Sequence, residues 1–217
     1  MHVFYLHGFA SSAQSKKAAY FGERFRSHGV MLRCPDFNEP DFATLTLTRM
    51  LEQLGRDIAA LEPAPVVLLG SSLGAVVALH TAAARSGLAA GRITRLVLLA
   101  PALLFGKDGH KFLGPERVAD WRTRGVLDVS HFGYGETRLL NYTFYEDSLR
   151  YDALTADVTQ PTLILQGLRD ESVDHRVVEE YAATRSNVAL KLFDDDHQLM
   201  ASLPVMWKEI AAFLDLT

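Results

Sequence analysis

One cysteine in 217 residues, Cys34, excludes an internal disulfide. Such a residue reads as a small apolar side chain beside a strand. A reducing compartment suits the chain, so a cytoplasmic location is expected. An excess of one charge is lacking too: 22 Lys and Arg stand against 26 Asp and Glu, for a net charge of −4 with both signs scattered. Without a basic stripe or polybasic cluster, neither nucleic acid nor an anionic membrane surface is an expected partner. The longest near-continuous apolar stretch, Leu96 to Phe105, is too short to span a bilayer and contains Pro101. The opening run Val3-Phe4-Tyr5-Leu6 follows no basic leader and no small-residue cleavage site, so no signal peptide is expected. Internal repeats and low-complexity segments are lacking as well. No His, Cys, Asp and Glu cluster has metal-ligand spacing, and the run Asp194-Asp195-Asp196 lacks the rest of a calcium loop. No metal and no cofactor are expected.

What is present suits a globular domain: 48% hydrophobic and 22% charged residues, over a length that fits one domain spanning 1–217. Short β-rich runs alternate with helical patterns, which predicts an α/β fold with a mainly parallel sheet. The expected strands are Val3–Leu6, Val30–Arg33, Val66–Leu69, Leu96–Leu99, Thr162–Leu165 and Val188–Phe193. The expected helices are Lys16–His28, Thr44–Leu61, one after Ser72, Val173–Arg185 and Pro204–Leu214. In the second of these, Leu47, Met50, Leu51, Leu54, Ile58 and Leu61 form a helical stripe. The alternation breaks between Ala102 and about Thr159, a stretch rich in aromatics that includes Phe105, Phe112, Trp121, Phe132, Phe144 and Tyr151. A break this long inside a compact domain carries its own helices or a function. Pro115–Arg124 is the helix expected there, and the segment 102–159 is expected to cover the site as a lid.

The site itself is announced by Gly70-Ser71-Ser72-Leu73-Gly74. This G-x-S-x-G pattern follows the apolar run Val66-Val67-Leu68-Leu69 and opens into a helical pattern, the strand–turn–helix setting of a serine nucleophile elbow. The spacing selects Ser72 and not Ser71, whose neighbours two residues away are Leu69 and Leu73. A serine nucleophile needs a base, and the base an orienting carboxylate. Asp170 follows one late strand and His197 another, in the order serine, acid, histidine. Sites in parallel sheets lie beyond the carboxyl ends of the strands, so the three loops should converge. Asp194, Asp195 and Asp196 adjoin His197 but lie on the same short loop, where solvation or a local turn is the expected role. His80 lies inside the helix after Ser72, His131 in the insertion and His175 on the helix after Asp170. His2, His28 and His110 lack a site-like setting. An oxyanion hole is expected from the amides of Leu73, which follows the nucleophile, and Phe9, in the loop His7-Gly8-Phe9-Ala10. His7 is expected to bond within that loop.

These residues resemble the α/β-hydrolase superfamily and, within it, the small YqiA-like bacterial esterases. The opening Tyr5-Leu6-His7-Gly8-Phe9-Ala10-Ser11-Ser12 with Ser15-Lys16-Lys17-Ala18 carries the likeness, as do the elbow and Asp170-Glu171-Ser172-Val173-Asp174-His175-Arg176. The resemblance implies a truncated sheet of about six strands flanked by helices, beginning at the strand that is usually third. It also implies a serine carboxylesterase acting on small acyl esters or acyl thioesters. Serine at the elbow argues against the dehalogenase branch, which needs a carboxylate there. Thioesterase or amidase activity with the same triad stays open, as does a hydrolase-fold binding protein without turnover. The sequence leaves the oligomeric state open.

Overall fold

The computed structural model describes residues 1–84, 86–106 and 113–216. His110 and Phe112 lie outside the described residues. The chain runs β1 (His2–Leu6), α1 (Lys16–Ser27), β2 (Leu32–Arg33), α2 (Leu47–Ala59), β3 (Val66–Ser71), α3 (Leu73–Ala83) and β4 (Ile93–Leu99). After the insertion come β7 (Thr162–Gly167), α6 (His175–Ala183), β8 (Val188–Phe193) and α7 (Leu203–Phe213). The six main strands are ordered β2-β1-β3-β4-β7-β8, and every neighbouring pair is parallel.

The central strands are mostly apolar, and β3 and β7 are buried at all six positions, because both faces of the sheet are covered. Phe4, Leu6, Val66, Leu68, Leu96, Leu98 and Ile164 face a core shared with α2, α3 and α6. Val3, Tyr5, Val67, Leu69, Val97, Leu99, Leu163 and Leu165 face the second core, closed by Phe21 and Phe25 of α1 and Met206, Trp207 and Ile210 of α7. Cys34 packs at the margin of that second core, and burial pushes its thiol up to about 11. Its environment is that of a small hydrophobe.

Several ends differ from the sequence expectation. The second helix begins at Leu47, because Thr46 caps it by accepting from the Arg49 amide. Phe42–Thr44 forms a separate 3₁₀ turn before it. The strand expected from Val30 is paired only at Leu32 and Arg33. The helix after Asp170 starts at His175, capped by the Asp174 side chain, and ends at Ala183.

The insertion contains the expected helix, α4 (Pro115–Arg124), together with a hairpin of β5 (Val126–His131) and β6 (Glu136–Asn141) and a short helix α5 (Thr143–Ser148). Its buried side chains join the main core: Trp121, Leu127, Leu140 and Phe144 share a cluster with Leu6, Leu68 and Leu98 of the sheet. Tyr142 and Tyr145 pack on the Trp121 ring, whereas Phe132 at the hairpin tip is 85% exposed. Among the described residues, no helix is long and apolar enough to cross a membrane.

Candidate active site

β3 ends at Ser71 and α3 begins at Leu73, so Ser72 alone makes the turn. It does so at φ 53° and ψ −114°, a conformation that costs a non-glycine residue about 1–3 kcal/mol. The turn is held by the Ser72 amide donating to Leu99 O at 2.9 Å and the Ala75 amide donating to Ser72 O at 3.0 Å. Strand and helix pass so close that a Cβ on Gly70 would lie 2.5 Å from Ala75 Cα, and one on Gly74 would overlap Leu6 O. Ser71 turns to the opposite face, where it is buried and accepts a hydrogen bond from Lys17 Nζ at 3.0 Å.

Asp170 follows β7 and His197 follows β8, at the same sheet edge as Ser72. The two loops interlock. The Leu168 amide donates to Phe193 O at 2.8 Å and the Arg169 amide to Asp195 O at 3.0 Å. A Cβ on Gly167 would sit 2.6 Å from both Asp195 O and Asp196 O. This brings His197 Nδ1 to 2.8 Å from Asp170 Oδ2. An ionised carboxylate only accepts, so Nδ1 carries the proton and Nε2 of the neutral ring is free to accept. The other oxygen of Asp170 accepts from the Ser172 and Val173 amides, each at 2.8 Å, and Gln166 Nε2 donates to Oδ2 at 3.0 Å. Burial pushes the Asp170 carboxyl up, but the His197 bond and charge, the Val173 amide and the Gln166 amide outweigh it and hold the group below its usual range.

The neighbouring carboxylates are occupied elsewhere. Asp194 pairs with Arg169 Nε at 3.2 Å, and Asp196 accepts from the Gln198 amide at 2.8 Å. Asp195 is buried, not solvated, and ties the loop by accepting from the Asp196 and Ser202 amides at 2.8 Å each. His175 faces Glu179 at 2.8 Å on α6, and His80 packs against the Tyr151 ring. His7 bonds within its loop as expected: Nε2 accepts from the Phe37 amide at 3.0 Å, so Nδ1 donates to Gly8 O at 2.9 Å.

Ser72 has no hydrogen bond to the His197 ring among the described residues. The loop after β1 does reach Ser72, since a Cβ on Gly8 would lie 3.3 Å from Ser72 Cβ. The next residue, Phe9, has its ring between Phe42 at 5.8 Å and Phe144 of the insertion at 5.4 Å. Leu73 is buried at the first turn of α3. Among the described residues, no group of three or more His, Cys, Asp and Glu side chains could hold a metal ion.

Residues 2–215 match the model of an uncharacterised protein family, UPF0227. The chain belongs to that family. No curated protein matches this UPF0227 sequence. Its fold is that of the α/β-hydrolase superfamily. Alpha/beta hydrolase domain-containing protein 10 from mouse superposes with a TM-score of 0.80 at 22% identity, over 99% of this chain and 89% of that one. Est1E from Butyrivibrio proteoclasticus, with ferulic acid bound, gives 0.80 at 19% identity over 98% and 87%. Monoacylglycerol lipase from Paleococcus ferrophilus gives 0.73 at 13% over 97% and 94%.

Two buried polar residues near Asp170 and the elbow were not singled out from the sequence. Gln166 stands at the end of the apolar run Leu163-Ile164-Leu165, where its buried amide orients Asp170. Lys17 sits one turn before Phe21 on the buried stripe of α1. Each breaks a local apolar pattern, and that interruption is the signal by which it could have been found.

Proposed function

We propose that this protein is a serine hydrolase that cleaves carboxylic esters through an acyl-enzyme. The observation that carries the reading is the 2.8 Å hydrogen bond from His197 Nδ1 to Asp170 Oδ2, at the sheet edge where Ser72 holds its strained turn. Ser72 Oγ attacks the acyl carbon and His197 Nε2 takes its proton. Asp170 keeps the imidazole in the tautomer that leaves Nε2 free, and steadies the imidazolium once it forms. The amides of Leu73 and Phe9 receive the oxyanion. His197 then protonates the departing alcohol, and water repeats the sequence on the acyl-enzyme. The reaction needs no metal or other cofactor. In many unliganded active sites the bond from nucleophile to base closes only when substrate docks. A monoacylglycerol lipase among the proteins of like fold supports an ester as substrate. The linked rings of Phe9, Phe42, Phe105 and Phe144, joined through Phe9 to the loop that reaches Ser72, suit the acyl part of a small-molecule ester or thioester, under the insertion as a lid. A single free cysteine and a net charge of −4 fit a cytoplasmic enzyme.

The test is a pair of neighbouring serines. Ser72→Ala should abolish hydrolysis of a 4-nitrophenyl ester and labelling by a fluorophosphonate with thermal stability little changed, since alanine carries the same Cβ as serine into the turn. Ser71→Ala, on the Lys17 side, should keep most of the activity. The reverse outcome removes Ser72 as nucleophile.

A further inference from the structure

We propose that the β5–β6 hairpin clamps the loop that supplies the oxyanion amide, with Gly133 and His131 as positioning residues. The inference rests on the reading of Phe9 as an oxyanion donor. The loop lies between the end of β1 at Leu6 and the start of α1 at Lys16, outside regular structure, and Ala10 holds a left-handed φ of 52°. Its backbone is tied from outside. The Gly133 amide, at the hairpin tip, donates to Ala10 O at 3.1 Å. Asn38 Nδ2 donates to Ser11 O at 2.8 Å. The two carbonyls that follow Phe9 are therefore both held, one by the insertion directly and one through Asn38.

Asn38 leads back to the same hairpin. Its Nδ2 also donates to Asp36 Oδ1 at 2.7 Å, so the amide has two acceptors on one side and its Oδ1 must point the other way. There it meets His131 Nε2 at 3.1 Å, which makes that nitrogen the donor. The His131 ring is buried, stacked on Tyr134 with centroids 4.2 Å apart and edge-on to Phe42 at 4.7 Å. Burial, then the Arg138 charge, lower its affinity for a second proton, and with Asn38 Oδ1 as the acceptor the Nε2–H form of the neutral ring is the one that fits. Its Nδ1 is buried without a hydrogen-bond partner. One nitrogen is thus left unsatisfied while the other stays on Asn38, an arrangement that core packing by itself does not require.

Gly133 adds a steric argument. Its φ is not left-handed, so the backbone conformation does not demand glycine. Space does: a Cβ there would lie 2.9 Å from Ser11 C, 3.0 Å from Ser12 Cβ and 3.1 Å from Ser12 N. Gly135, two residues on, is the opposite case, with φ 70° and nothing within 4 Å of its would-be Cβ. An alanine at 133 wedges the oxyanion loop, and an alanine at 135 strains the hairpin without touching it. An amide displaced by about 1 Å from its productive place can cost about 10²-fold in rate.

The experiment compares the parent, Gly133→Ala, His131→Phe and Gly135→Ala on 4-nitrophenyl acetate and its thiono analogue, with thermal midpoints measured alongside. Phenylalanine fills the His131 space but donates nothing to Asn38. Thiocarbonyl sulfur is a poor hydrogen-bond acceptor, so the ratio of oxo- to thionoester turnover reads the oxyanion hole and not the general health of the fold. Gly133→Ala and His131→Phe should lower kcat on the oxoester about 10- to 100-fold with KM within about two-fold, and the oxo/thiono ratio should fall with it. Gly135→Ala should keep the ratio even where its midpoint drops. If Gly133→Ala does not fold, His131→Phe decides. An unchanged ratio in the variants that fold, or an equal fall in Gly135→Ala, overturns the clamp. Failure of the parent to turn over either ester overturns the function reading and the clamp together, whereas turnover with an unchanged ratio overturns the clamp alone.

Discussion

Lys17 Nζ is buried against a neutral hydroxyl, Ser71 Oγ, at 3.0 Å. Burial lowers the ammonium to about 8, against the pull of Asp170, Asp196 and Asp195. An unfolded lysine keeps its proton to about 10.4. Between pH 8 and 10.4 the unfolded chain therefore binds the proton that the folded chain has lost, and the Lys17 contribution to stability rises with pH. Below pH 8 the buried charge costs about 3 kcal/mol in full. A half-buried thiol and a buried phenol act in the opposite direction in an overlapping window. Burial pushes the Cys34 thiol up to about 11 and the Tyr5 phenol up to about 12, so the unfolded chain loses those protons first and stability falls as pH rises. The difference between the parent and Lys17→Met cancels both acids. Lys17→Met should be more stable than the parent at pH 7 by about 1–3 kcal/mol, once the lost Ser71 bond is deducted, and the gap should close by about pH 10. Urea unfolding at pH 7, 8.5 and 10 measures it. A variant no more stable than the parent at pH 7 would mean that the nearby carboxylates compensate the charge fully.

At the scale of elements, the loops after β7 and β8 hold two buried carboxylates to which the proposed mechanism gives different roles. Asp170 and Asp195 are both buried and both hydrogen-bonded to backbone amides, but only Asp170 faces His197. Asp170→Asn should lower kcat by about 10²–10⁴ with a small change in stability, because an amide no longer enforces the productive tautomer. Asp195→Asn should instead cost about 1–3 kcal/mol of stability, through the loss of one of its two backbone bonds, and spare most of kcat. A collapse of kcat in Asp195→Asn with normal turnover in Asp170→Asn would move the acid to the β8–α7 loop. The central strands of the main sheet were legible in the sequence as short, mostly apolar runs bounded by turn residues, whereas the edge strand β2 was legible only in part because it pairs at just Leu32 and Arg33. The elbow was legible because glycine on both sides of a serine has a steric cause. The hairpin was not. β5 alternates faces as Val126-Leu127-Asp128-Val129-Ser130-His131, but β6 exposes Glu136, Thr137, Arg138 and Leu139 in succession, so only one of its strands carries a period of two. For the same reason the ties from Gly133 and His131 to the loop after β1 were invisible, since they join residues more than ninety positions apart through backbone groups and one amide.

The whole molecule raises the question of whether the insertion is a detachable lid or part of the body. Its buried residues argue for the second. Trp121 donates from Nε1 to Leu140 O at 3.0 Å and shares a cluster with side chains of the sheet, of α2 and of α3. A segment that contributes to the main core unfolds with that core. The chain offers its own reporters, for it has two tryptophans on opposite faces of the sheet: Trp121 on the insertion side, and Trp207 of α7, which meets Phe25 edge-on at 5.0 Å. Trp207→Phe leaves Trp121 to report on the insertion, and Trp121→Phe leaves Trp207 to report on the far face. In each variant, the urea transition followed by fluorescence should coincide with the one followed by far-ultraviolet circular dichroism, because both tryptophans are released in one cooperative step. Comparing two probes within one variant avoids the difference in stability between variants. A Trp121 transition that clearly precedes loss of secondary structure would make the insertion an independent unit. The clamp on the oxyanion loop would then open without unfolding the sheet.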